Sequence, residues 1–260
     1  MTQHTDDDLL SLAADLARLA GAAILRVRAR GFDVLTKADA SPVTEADTAA
    51  EAIIVAGLRR ATPDIPVIAE EEVAAGRIET GGLEAFWLVD PLDGTREFTA
   101  GTDDFTVNVG LIRHGRPVLG AVGVPARGEL FCGIVGVGAF KRDAGGERRI
   151  SARVPPAAGL DVLASRHHAN DERLGEFLRG RQVASIGNIG SAVKFLHVAE
   201  GKADLYPRFG RTMEWDTAAP QAVLEAAGGS VVRADDGTPL MYGKAGFENP
   251  GFVCTGRLAG

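Results

Sequence analysis

Apolar residues recur at helical spacing through the first thirty positions: Leu9, Leu12, Ala13, Leu16, Leu19, Ala20, Ala23, Ile24 and Val27. That period puts them on one face of an α-helix over 6–30. Acidic residues fill its first turn and Gly31 follows its end, as helix termini prefer. Residues 32–36 allow a short strand, and 37–42 read as a loop. A second helix is predicted from near Thr44 to about Arg60, where Thr44 and Asp47 resemble a capping box with Asp in place of Glu. Val67, Ile68 and Ala69 form a short strand that runs into Glu70, Glu71 and Glu72. From residue 105 the period changes to two. Strands are predicted over 105–113, 118–124, 129–135 and 139–142. The Gly-, Arg- and Pro-rich stretch 143–159 reads as a boundary. Beyond it, strands over 161–164, 183–186, 203–206 and 230–233 alternate with helices over 171–179, 191–200 and 216–227. The pattern therefore gives an α+β first half, 1–150, with an antiparallel sheet, and an α/β second half, 151–260. The two are expected to pack as one unit.

The stretch 86–112 departs from good core design. The apolar run Phe86, Trp87, Leu88, Val89 ends in Asp90, Pro91, Leu92, Asp93, Gly94 and Thr95. Pro91 is expected to end the strand and set a turn, so that Asp90 and Asp93 face the same space. Two carboxylates this close repel, and a divalent cation relieves them more economically than protonation does. Gly94 permits close approach to the backbone, and the N–H groups of Gly94 and Thr95 can cradle an anion. The local reading is a magnesium site that receives a phosphate. Three other acids have plainer readings when taken singly. Asp216, at a helix start, reads as an N-cap, Asp47 as the capping-box acid, and Glu70 as a solvated surface acid.

Composition narrows the classes. The 260 residues are 45% hydrophobic and 24% charged with a net charge of −7, ordinary for a globular chain. No basic block stands out, so nucleic acid is not an expected partner. The two cysteines, Cys132 and Cys254, have no metal-site spacing and suggest a reducing, cytoplasmic setting. No signal peptide or transmembrane segment is expected.

Glu70-Glu71, the run from Asp90 to Thr95, and Trp215-Asp216-Thr217-Ala218-Ala219 together resemble the signature motifs of the inositol monophosphatase superfamily, whose members are lithium-sensitive, magnesium-dependent phosphatases. The stretches 37–44, 66–71, 95–98, 105–108, 190–195, 205–210 and 249–252 look most like its bacterial 3'(2'),5'-bisphosphate nucleotidase branch. The resemblance implies a layered αβαβα sandwich with the cations between the halves. It implies two or three Mg²⁺ per site, held by Glu70, Asp90, the Leu92 carbonyl, Asp93 and Asp216, with Asp90 bridging two of them. By the same resemblance, Asp47 and Thr95, with Glu70, would orient and activate the attacking water. Gly94 and Thr95 would hold the scissile phosphate, and His167, Ser191, Lys194 and Arg208 would line the nucleotide site. The implied reaction is removal of the 3'-phosphate of adenosine 3',5'-bisphosphate in sulfur assimilation, with action on its sulfated form. The partner is then a small nucleotide bisphosphate, and a homodimer is compatible. Two alternatives stay open: an inositol or sugar monophosphatase, and a non-catalytic metal- or nucleotide-binding protein. Taken singly, His167 reads as a solvated loop residue and Lys194 as a solvated helix surface. The Arg208 guanidinium, between Pro207 and Phe209, is harder to dismiss.

Overall fold

Helix α1 (Asp6–Arg30) forms as its apolar period requires, and Thr5 caps it by accepting from the N–H of Asp8 at 3.2 Å. The computed structural model describes residues 4–36, 42–76, 83–166 and 172–257. A small antiparallel hairpin, β1 (Val34–Thr36) with β2 (Pro42–Thr44), leads into α2 (Glu45–Ala61). Here the expected capping box is present, since Asp47 Oδ2 accepts from both the N–H and the hydroxyl of Thr44, at 2.7 and 2.8 Å. Then come β3 (Val67–Ala69) and a short helix α3 (Glu70–Ala74), followed by β4 (Ala85–Asp93) and α4 (Thr95–Thr99). The meander follows as β5 (Thr106–Arg113), β6 (Arg116–Val124), β7 (Glu129–Ile134), β8 (Gly138–Asp143) and β9 (Gly146–Ile150). These strands make one seven-stranded sheet in the order β3-β4-β5-β6-β7-β8-β9.

The second sheet is built from β10 (Leu160–Ser165), β11 (Val183–Ile189), β12 (Leu205–Arg208), β13 (Ser230–Arg233) and β14 (Phe252–Thr255). Its order is β11-β10-β12-β14-β13. Its helices are α5 (Glu172–Leu178), α6 (Val193–Ala199) and α7 (Glu214–Ala226). Helices α1 and α2 bury their apolar faces on one side of the large sheet. Helices α6 and α7 fill the space between the two sheets. The apolar side chains of α5 cover the outer face of the small sheet around Val162, Leu205 and Val253. The layers are thus αβαβα, as expected. Among the described residues no helix is long and apolar enough to cross a membrane.

Glycines bring α7 unusually close to the large sheet. Gly110, Gly120 and Gly133 sit in register across β5, β6 and β7. A Cβ on Gly110 would lie 2.7 Å from the Ala219 nitrogen, and one on Gly120 would lie 2.3 Å from the Ala219 carbonyl oxygen. Since the obstacle is backbone, Gly120→Ala must lift the helix or shift the strand. We expect a loss of about 2–3 kcal/mol, at the upper end of overpacking costs, measurable by urea unfolding. An unchanged midpoint would mean that α7 is not clamped here.

Several expectations are corrected. Pro91 does not end β4. The strand continues to Asp93 through a register shift, because a bulge needs no ladder N–H at that position. The 143–159 boundary contains β9, an exposed polar edge strand whose only buried residue is Ile150. The large sheet is not wholly antiparallel, since β3 runs parallel to β4. The second half does not simply alternate either. β14 inserts antiparallel between β12 and β13.

Candidate active site

The bulge in β4 creates the acidic centre. Asp90 lies opposite Asn108 and Asp93 opposite Thr106, so three steps on β4 match two on β5. In a regular strand, residues three apart point to opposite faces. The extra residue returns Asp93 to the face of Asp90. Inside the bulge the Leu92 N–H donates to Asp90 Oδ1 at 3.0 Å. Asp93 Oδ2 accepts from the Ala192 N–H at 2.5 Å and from the Thr106 hydroxyl at 3.4 Å. Gly94 then takes a left-handed conformation (φ 92°) that turns the chain into α4, which begins at Thr95. Any side chain would be strained there, and its Cβ would press on the Asp104 carbonyl and on Ser191. Thr95 Oγ1 lies 3.2 Å from both Asp47 Oδ1 and the Leu92 carbonyl, and its one hydrogen can go to either. The structure thus brings Asp47, Leu92 and Thr95 together from three separate elements.

Glu70 opens α3 at the C-terminal end of β3 and is half-buried, so it is not a freely solvated acid. Asp216 is not the N-cap of α7. The helix starts two residues earlier, Met213 precedes it, and Asp216 Oδ2 accepts the Met213 N–H at 2.9 Å from the first turn. Burial first, then Glu70, Asp93 and Asp216, push the carboxyl of Asp90 well above its usual range. Asp216 is raised in the same way by burial, Asp93 and Glu70. Burial also raises Asp93, against the lowering influence of the Lys194 ammonium and of the Ala192 N–H. Four carboxylates from three elements therefore lie within one another's fields. Among the described residues no three such side chains converge closely enough to form a ready-made cage. The fit to a cation is one of charge and donor chemistry: an all-oxygen, multiply acidic set suits a hard divalent ion.

The other side of the site is basic. A cavity of about 110 Å³ is lined by Asp93, Ser191, Lys194, Arg208, Arg211 and Asp216, among others. Ser191 has a positive φ of 48°, unusual for a non-glycine, just before Ala192 donates to Asp93. Lys194 is not on a solvated face. It is buried between the sheets, and its ammonium donates to the carbonyls of Ile189 at 3.1 Å and Ser191 at 2.6 Å. It also stands over the Tyr206 ring at 5.1 Å. Burial lowers its pKa to about 8, partly offset by Asp93. Its geometry makes it a brace for the Ser191 turn as much as a ligand group. Arg208 ends β12, half-buried, and donates to the Arg211 carbonyl at 3.1 Å. His167 lies outside the described residues. Arg211 and Thr212, which also line the cavity, were not anticipated; the signal available was their position just past a strand end.

Comparison with known proteins places the chain among relatives of the same fold. The family model described as "Inositol monophosphatase family" matches residues 5–257. The chain is 45% identical over 249 residues to the 3'(2'),5'-bisphosphate nucleotidase CysQ of Escherichia coli (strain K12), covering 94% of this chain and 98% of that protein. The crystal structure of CysQ from Bacteroides thetaiotaomicron superposes with a TM-score of 0.82 at 35% identity, covering 98% of this chain and 99% of the other. The inositol monophosphatase of Anabaena (Nostoc) sp. PCC 7120 gives a TM-score of 0.77 at 27% identity, covering 96% and 91%. The layered sandwich is held in common with these solved structures, and the family model spans nearly the whole chain: the chain belongs to the inositol monophosphatase family.

Proposed function

We propose that this protein is a metal-dependent phosphatase that removes the 3'-phosphate of adenosine 3',5'-bisphosphate, yielding AMP, and acts also on the sulfated analogue. Its setting would be cytoplasmic sulfur assimilation. The observation that carries this reading is the single cavity in which Asp93 and Asp216 face Ser191, Lys194 and Arg208. An acidic wall suits cations, and a basic wall suits a second phosphate that a monophosphate lacks.

Mg²⁺, two or three ions per site, would be held by Glu70, Asp90, the Leu92 carbonyl, Asp93 and Asp216. When bound, such ions neutralise the phosphate and lower the pKa of water. The remaining work falls to side chains and backbone. Both donors of Thr44 go to Asp47 Oδ2, and Asp47 Oδ1 lies within reach of the hydroxyl hydrogen of Thr95. The Thr95 oxygen can then accept a proton from the attacking water, with Asp47 as the eventual base. The N–H groups of Gly94 and Thr95, at the N-cap and first position of α4, lack intrahelical acceptors and suit phosphate oxygens. Ser191, Lys194 and Arg208, with His167, would receive the nucleotide. On this reading residues 1–150 form the cation-binding half and 151–260 the half that selects the substrate.

The test is phosphate release with Mg²⁺ from adenosine 3',5'-bisphosphate and from inositol 1-phosphate, each with and without Li⁺. A strong preference for the bisphosphate, suppressed by Li⁺, is expected. Preference for inositol 1-phosphate would make the enzyme an inositol monophosphatase, and release from neither would leave only a binding role.

A further inference from the structure

Asn108 is wholly buried on β5, yet neither its Oδ1 nor its Nδ2 meets a hydrogen-bond partner in the protein. A buried carboxamide with both ends unmet is costly. Both faces of this strand are covered, a setting that favours apolar residues. Its neighbours Val107, Val109 and Leu111 obey that preference.

The position explains what the residue faces. Asn108 is in register with Asp90 across β4 and β5, and residues opposite each other share a face. One pair along, Thr106 stands opposite Asp93 and already donates its hydroxyl to that carboxylate. The next residue on this face is Gly110, which lies against the backbone of Ala218 and Ala219 in α7. Asn108 is therefore enclosed by Asp90, by Thr106 and by the early turns of the helix that carries Asp216. β5 thus places a polar side chain opposite each acid of the bulge, one engaged and one not.

We propose that Asn108 is the positioning residue for Asp90 in the cation-loaded enzyme. Its Nδ2 donates to the Asp90 carboxylate, and its Oδ1 accepts from a water that hydrates the cation. The inference rests on the cation site proposed above. The chemistry suits a carboxamide better than the alternatives. It is neutral and adds no charge to an already repelling set, it offers a donor to an ionised acid, and it offers an acceptor to water. Loss of a group that orients a metal ligand typically costs about 10- to 100-fold in metal affinity.

The experiment measures Mg²⁺ binding to phosphate-free protein by calorimetry, with thermal melts in EDTA and in Mg²⁺, for wild type, Asn108→Leu, Asn108→Ala and Asn108→Ser. Leucine nearly matches asparagine in shape and removes both polar ends. It is expected to weaken Mg²⁺ binding about 10- to 100-fold. Its melting temperature in EDTA should equal or exceed that of wild type, because an unmet buried amide has been replaced by an apolar group. The Mg²⁺-dependent rise in melting temperature should shrink. Serine, which keeps a donor and an acceptor, should recover part of the affinity lost in the alanine variant. If the leucine variant does not fold, the alanine and serine pair carries the same comparison. Mg²⁺ affinity within twofold of wild type in the leucine or alanine variant would overturn the role of Asn108 while leaving the cation site intact. Absence of Mg²⁺ binding in wild type would overturn both.

Discussion

Asp90→Asn should cost at least about three orders of magnitude in kcat/KM, on the order of 4 kcal/mol of transition-state stabilisation, and should make the metal-free protein more stable. The two effects have one cause. Asp90 is buried among Glu70, Asp93 and Asp216, and the three acids together with burial hold its carboxyl well above the usual range. Asparagine keeps the oxygen that accepts the Leu92 N–H. It removes the charge that a cation needs and that the cation-free fold must tolerate. In a chain of this length each kcal/mol recovered raises Tm by about 2–4 °C. The pH dependence follows from the same shifts. Asp90, Asp93 and Asp216 have folded pKa values above their unfolded ones. The folded state therefore binds more protons, and stability falls as pH rises from the unfolded value near 4 through the raised folded values. In EDTA the wild type should lose stability as pH rises above about 4, and the slope should be shallower in Asp90→Asn. Mg²⁺ favours the ionised forms and should flatten the wild-type slope. A variant less stable than wild type in EDTA at pH 8 would refute the repulsion argument. A variant that keeps its activity would remove Asp90 from the ligand set.

What the sequence made legible divides along a physical line. Helices α1 and α2 could be read almost to the residue, because each has a long apolar period and a side-chain cap. The acids of the centre were legible as types in a pattern, but the device that aligns them was not. A proline after a buried strand reads as a stop, whereas here it lies in a bulge that depends on pairing with β5, a long-range contact. Lys194 read as solvated because amphipathic spacing does not reveal that α6 is enclosed by a sheet on each side. β9 was missed, and the place of β14 in the sheet was not legible, for opposite reasons. One is too polar to resemble a strand, and the other is a short run whose place is set by the strands on either side. Asn108 had a faint signal, a polar residue in the alternating run 105–113, whose meaning depends on which acid stands across the ladder.

Arg208→Ala should separate the two candidate substrates. Arg208 and Lys194 both line the cavity beside Asp93 and Asp216, but they are not equivalent. The Lys194 ammonium is already committed to the Ile189 and Ser191 carbonyls, so its removal would disturb the Ser191 turn as well as any ligand. Arg208 reaches the cavity from the end of a strand, a rigid support, with a planar group able to grip phosphate through two donors. If it meets the non-scissile phosphate, the alanine variant loses a charge-assisted contact of about 2–3 kcal/mol, roughly 30- to 150-fold in kcat/KM for adenosine 3',5'-bisphosphate. Inositol 1-phosphate has no second phosphate and should lose less than about threefold. Arg208→Lys keeps the charge without the planar fork and should fall between. Arg208 also contributes a positive field at Asp216 that partly opposes the rise of its pKa. If that field were its main role, cation binding and both substrates would suffer together. Equal losses on the two substrates would therefore assign Arg208 to the acidic centre and leave the second phosphate to another group.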